Sequence, residues 1–201
     1  MNEQTGRRER KKAATRRKIA DTALRLFLER GYDEVGIREV AAEADVAVTT
    51  LFSHFPSKES LVFEQDSGFE RGLVQAVTDR HPDEPLVPAL RRQIRDMVRH
   101  CTAPEAAPVQ HLINTTPALR QYEESMRLRH AESLAAVIAA DLRVPVTPTA
   151  CRTIARFSID AYTLARDSED PEVAVDEVFR MIDAAWASVH PASLGRRSAG
   201  S

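Results

Sequence analysis

Of the 201 residues, the side chains best suited to covalent chemistry are His100 and Cys101, with His111 further along. A thiol becomes a nucleophile when a base deprotonates it and a third group orients that base. No acidic residue stands at a useful spacing to complete such a set, so no enzyme activity is expected. The six histidines show no HxxxH or comparable ligand spacing, so no metal is expected. No glycine-rich phosphate loop appears and no cofactor is expected. Cys101 and Cys151 form neither a CxxC pair nor a disulfide framework, which fits a reducing, cytoplasmic setting. A different chemistry sits nearer the N-terminus. Thr49, Thr50 and Ser53 place three small hydroxyls within one short stretch, and Arg7, Arg8, Arg10, Lys11, Lys12, Arg16, Arg17 and Lys18 precede them. Short hydroxyls can reach base edges, and clustered cations can meet phosphates.

The elements that must position these groups are helical. No stretch keeps a two-residue alternation, and glycine is scarce. A first helix is expected over 15–30, with Ile19, Ala23, Leu26 and Phe27 on one face and Gly31 as its stop. Short helices over 37–44 and 48–54 follow, separated by Asp45-Val46. The chain must turn sharply there, and Asp tolerates the left-handed conformation better than most residues. Ala41 and Ala42 are small enough for a close helix crossing, and Val46 and Leu51 are expected to bury between the pair. Thr49, Thr50 and Ser53 then fall on the outer side of the second member, as recognition in a major groove requires.

Past Pro56, Ser57 reads as the N-cap of a long helix carrying Val62, Phe69, Leu73, Ala76 and Val77. Prolines mark the later boundaries: Pro85 and Pro88, Pro104 and Pro108, Pro117, Pro145 and Pro148, and Pro171. The expected fold is all-α, with about nine helices: an N-terminal three-helix helix-turn-helix domain and a C-terminal bundle. The expected division is a flexible basic arm at 1–14, a DNA-binding domain at 15–60, a helical bundle at 61–190, to which a family resemblance assigns ligand binding and dimerisation, and a disordered tail at 191–201. No apolar run approaches the roughly 20 residues needed to span a bilayer, so no membrane partner is expected. The formal net charge of −2 argues against nucleic acid, but its distribution does not. Residues 1–58 carry a net +3 and residues 59–201 a net −5; the first 18 alone carry +6.

The strings Ala23-Leu-Arg-Leu-Phe27, Gly31-Tyr32, Ile37-Arg-Glu-Val-Ala41, Thr50-Leu-Phe-Ser-His-Phe55 and Lys58-Glu59 closely resemble the DNA-binding domain of TetR-type regulators. The resemblance runs from about Arg17 to Phe63. It implies that Ala47, Thr49 and Thr50 face the bases, with Val48 and Ser53 beside them in the DNA-binding set. It also implies that His54 and Lys58 touch phosphate, Lys58 from the first turn of the helix after Pro56. Arg16, Arg17 and Arg38 would reach the backbone flank. Phe52 stands where a tyrosine is usual, so the hydroxyl that would bond phosphate is missing and the apolar packing is kept. Gly36 replaces a threonine cap, Val48 a more polar residue and Asp45 the turn glycine, which alters the operator expected but not the motif.

The resemblance implies a homodimer on double-stranded, palindromic operator DNA, because one short helix reads too few base pairs alone. Its last two helices would pair with those of the second copy, through Phe157, Ala161, Leu164, Val178, Ile182, Ala185 and Trp186. A small-molecule effector would sit among Met97, His100, Cys101, His111, Leu112, Tyr122, Met126 and Phe157, where apolar walls meet a few polar handles. The stretch Leu112-Ile-Asn-Thr-Thr-Pro-Ala-Leu-Arg120 looks like a branch accepting acyl-coenzyme-A-like molecules, with Arg127, Arg129 or His130 neutralising a ligand phosphate. The expected function is a ligand-responsive transcriptional repressor, released by a small hydrophobic or acyl-CoA-like effector. A helical small-molecule binder or scaffold that has lost DNA binding is the alternative.

Overall fold

A computed structural model describes residues 3–64, 66–141 and 146–189. Among them are nine α-helices and no strand: α1 (Glu3–Arg30), α2 (Ile37–Glu43), α3 (Val48–His54), α4 (Asp66–Thr78), α5 (Leu86–Cys101), α6 (Ala107–Thr115), α7 (Pro117–Ala140), α8 (Pro148–Arg166) and α9 (Pro171–Val189). Two 3-10 turns, Glu59–Leu61 and Pro104–Ala106, precede α4 and α6. No described helix is long and apolar enough to cross a membrane.

The chain divides into two compact units: Met1–Asp66 with Glu105–Glu123, and Ser67–Pro104 with Glu124–Ser201. This differs from the expected boundary near residue 61. Ile113 of α6 and Leu119 of α7 are buried in the same cluster as Ile19, Phe27, Leu51 and Phe55, so α6 completes the N-terminal core. The expected arm differs as well, because α1 starts at Glu3 rather than near Thr15. Its first turns are rich in Arg, Lys and Ala, all good helix formers, and contain no proline to end them. The expected tail at 191–201 lies outside the described residues.

The second unit is built on α5, α8 and α9. Leu90 and Ile94, Ile154 and Ile159, and Val175 and Phe179 bury together. Beside that seam, Arg91, Arg95 and Arg99 recur one turn apart along α5 and face Glu172 and Asp176 of α9. Arg91 Nε donates to Asp176 Oδ1 at 3.0 Å, and Arg99 Nη2 to Glu172 Oε2 at 3.0 Å. At the end of α4, Arg80 pairs with Asp141 and donates to the Val77 carbonyl, all with almost no exposure.

Candidate nucleic-acid interface

The α2–turn–α3 unit is set by backbone chemistry at the end of α2. Asp45 takes φ +52°, the left-handed conformation the turn requires. Its N–H donates to the Ala42 carbonyl at 3.0 Å, and the Val46 N–H reaches back to Ala41 at 2.9 Å. This paired closure uses two of the last carbonyls of α2, and Val46 packs into the same cluster as Ala41. Ala41 is buried, whereas Ala42 faces solvent, so only the first of the two alanines serves the helix crossing. Gly36 opens α2 with no side-chain cap. Arg25 bridges to Glu43 at 2.7 Å, and Arg30 pairs with Glu39, so two cations of α1 are committed to holding α2.

On α3, Leu51 is fully buried and Val48 half-buried, and these anchor the helix. The outward side carries Thr49, Phe52 and Ser53, with Thr50 half-buried beside them and Ala47 exposed at the N-cap. The Ser53 hydroxyl donates to the Thr50 carbonyl at 2.7 Å and keeps its lone pairs for an outside donor. Phe52 is 48% exposed, which is unusual for a ring otherwise free to pack.

Among the expected phosphate-binding residues, the structure separates two groups. Arg17 and Arg38 are exposed, Arg17 with only a long pairing to Asp21 at 3.9 Å. Arg16 and Lys58 are turned inward, against the expectation. Arg16 donates to the His54 carbonyl at the end of α3, lies 4.1 Å above the Phe55 ring and pairs with Glu64 at 3.7 Å. It precedes Ile19 and Ala20 by one helical turn and therefore shares their buried face. That spacing is the signal the sequence offers. Lys58 is not in the first turn of α4, because the 3-10 turn and Val62–Glu64 intervene. Its Nζ donates to the Tyr32 carbonyl at 2.5 Å and sits 4.1 Å over the Tyr32 ring. The Tyr32 hydroxyl in turn donates to Glu59 Oε1 at 3.1 Å. Burial pushes the Lys58 ammonium below its ordinary value, against the pull of Asp33 and Glu59. Burial first, then Glu59, raises the Tyr32 phenol.

His54 differs in another way. Burial first, then Arg16 and Lys12, lowers its imidazole, and Nδ1 is enclosed without a hydrogen-bond partner. Ser57 caps the 3-10 turn rather than α4: its Oγ accepts from the Ser60 N–H at 3.3 Å.

The expected effector residues are divided between the two units. His111, Leu112 and Tyr122 belong to the first unit, where Tyr122 stacks on Phe63 at 5.4 Å. Met97, His100, Cys101, Met126 and Phe157 belong to the second. There Met97 and Met126 are buried, His100 meets the edge of Phe69, and Cys101 Sγ lies 2.9 Å from the Tyr162 hydroxyl. A cleft of about 330 Å³ opens between the start of α8 and the end of α9; Thr153, Phe157, Ile182 and Trp186 line it. Of the expected dimer residues, Ala161 and Ile182 are buried in the core of the single chain and so not open to a second copy. Val178 and Trp186 are half-buried, and Phe157, Leu164 and Ala185 are exposed.

Residues 19–64 match the family model for bacterial regulatory proteins of the tetR family. The HTH-type transcriptional regulator TcmR of Streptomyces glaucescens is 29% identical over 149 residues, covering 68% of this chain and 66% of that protein. The HTH-type transcriptional repressor KstR of Mycolicibacterium smegmatis is 46% identical over 66 residues, covering 32% of this chain and 31% of that one. The chain thus spans less than two thirds of the length of these relatives. The TetR family repressor AlkX from Dietzia sp. strain DQ12-45-1b, at 21% identity, covers 86% of this chain and 98% of its own with a TM-score of 0.58, a likeness of fold. The matched segment takes in the second half of α1, α2, its left-handed turn and α3, and this N-terminal domain is of the tetR type.

Proposed function

We propose that this protein is a transcriptional repressor that binds palindromic operator DNA as a homodimer and is released by a small hydrophobic or acyl-CoA-like effector. The observation that carries the reading is α3 itself. Its inner face is anchored by Leu51, its outer face offers Thr49, Phe52 and Ser53, and Arg17 and Arg38 of the same unit are exposed. A short helix held this way can enter a major groove, with cations at its flanks to meet the backbone. KstR and AlkX are both named as repressors, which supports the sign of regulation. Arg16 and Lys58 act in this reading as positioning residues that fix where α3 points. The exposed apolar positions of α8 and α9, Phe157, Leu164, Val173 and Met181, support pairing with a second copy. An effector works through its differential affinity for the two states, one of which presents the recognition helices at the spacing of successive major grooves.

Selection of bound duplexes from a random DNA pool, at moderate salt with the purified protein, tests the reading. An enriched palindrome is the expected result. A folded dimer that enriches no sequence overturns it in favour of a helical small-molecule binder.

A further inference from the structure

The geometry points to Phe52 as a specificity-determining residue that reads thymine methyl groups in the operator; this inference rests on the DNA-binding reading above. Phe52 lies one turn from Thr49 and next to Ser53 on the outward face of α3, away from Leu51 and Phe55, which anchor the opposite side. It is 48% exposed, and no aromatic or cationic partner to its ring is found among the described residues. A phenyl ring has no donor or acceptor, so phosphate and the polar edges of bases offer it nothing. The C5-methyl of thymine is the apolar group that a major groove presents, and it is absent from cytosine and from uracil. Leaving a ring half in water on a face otherwise made of hydroxyls forgoes burial that the fold could have used. Docking against a methyl recovers that burial, while Thr49 and Ser53 hydrogen-bond the neighbouring edges.

This reading differs from packing on the sugar-phosphate backbone, which would be blind to the methyl. The test uses the full-length protein and the duplex recovered from the random pool, with each thymine replaced in turn by uracil. Affinity is read by fluorescence anisotropy. One thymine in each half-site should be sensitive, losing roughly four-fold on removal of one methyl, or about fifteen-fold when both half-sites are changed. The same substitutions should leave a Phe52→Ala variant unmoved. Indifference of the wild-type protein to uracil at every thymine overturns the inference, whatever Phe52→Ala does to affinity. An undiminished uracil penalty in Phe52→Ala also overturns it, since another residue then reads the methyl. The uracil series alters only the DNA, so a folding defect in the variant cannot imitate either result. A pool that yields no enriched duplex instead removes the DNA-binding reading itself.

Discussion

Changing Arg16 to Ala separates a residue that holds the recognition helix from one that touches DNA. The guanidinium donates to the His54 carbonyl at the C-terminal end of α3, where the helix presents unsatisfied acceptors. A charge-assisted hydrogen bond of this kind contributes about 1.5 kcal/mol when partly exposed. The cation 4.1 Å over the Phe55 ring adds about 0.5 kcal/mol. The pairing with Glu64 at 3.7 Å joins side chains 30% and 33% exposed, and such pairs contribute close to nothing. Arg16→Ala should therefore cost about 2 kcal/mol, a fall in Tm of roughly 4–8 °C for a chain of this size, in the absence of DNA. Thermal denaturation followed by circular dichroism measures this. The second arm measures binding to the selected operator across a salt series. A side chain that neutralises one phosphate adds about 0.9 to the log–log slope, so removing it from each protomer lowers the slope by that amount per protomer. The internal role leaves that slope unchanged, although affinity falls at every salt concentration because α3 is less well held. A variant that melts like the wild type and drops about one unit of slope per protomer would refute the reasoning.

Lys58→Met should behave in the same way, losing stability without losing salt slope, because its ammonium is committed to the Tyr32 carbonyl and ring; the same two assays check it. Asp45 sits at φ +52°, so Asp45→Gly should stabilise by up to about 1 kcal/mol, and Asp45→Val should destabilise by about 1–2 kcal/mol, read from urea midpoints. His54 has a folded-state pKa held below 6.5 by burial and by Arg16 and Lys12. The unfolded chain then binds the proton more readily, so stability present near pH 7 is lost as pH falls below 6.5 towards the folded value. His54→Gln should flatten that part of the Tm–pH profile; an unchanged slope there would assign the effect elsewhere. The carboxylates with lowered values, Glu59 among them, act in a separate window below 4.5.

The α2–α3 pair is legible in the sequence to within a residue because each boundary has a local cause: Gly36 ahead of α2, a tolerated left-handed Asp45 between the two, and Pro56 beyond. The start of α1 is not. Its first turns lack an apolar stripe, so periodicity is silent there, while helix propensity alone extends the helix to Glu3. The start of α4 departs from expectation for the opposite reason. Ser57 is a sound capping residue, but Leu61 must reach the N-terminal core, and a single 3-10 turn delivers it there before the helix begins at Asp66. The membership of α6 is not legible either. Ile113 and Leu119 are apolar in sequence, but which core receives them is a long-range matter that local pattern does not encode. Which unit receives each expected effector residue is likewise a long-range matter, and they fall in both.

The basic residues of α1 show how charge and direction come apart. At about 100° per residue, Arg7, Arg10, Lys11, Arg17 and Lys18 share a stripe roughly 120° wide. Ile19, Ala23 and Phe27 fall on the other side of the helix, and Arg16 lies among them. Lys12 shares that side and helps to lower the His54 imidazole. Counting cations along 1–18 therefore overstates what can meet phosphate, since Arg16 satisfies a carbonyl of α3; further along α1, Arg25 and Arg30 pair with α2. The five stripe residues and Arg38 are exposed and can serve a phosphate backbone. A regulator needs both kinds. Cations on the outer stripe supply attraction that any duplex would feel, whereas those turned inward hold α3 at one angle so that Thr49, Phe52 and Ser53 can tell one sequence from another. Loss of an outer cation should then weaken all DNA alike, and loss of an inner one should blur the choice among sequences.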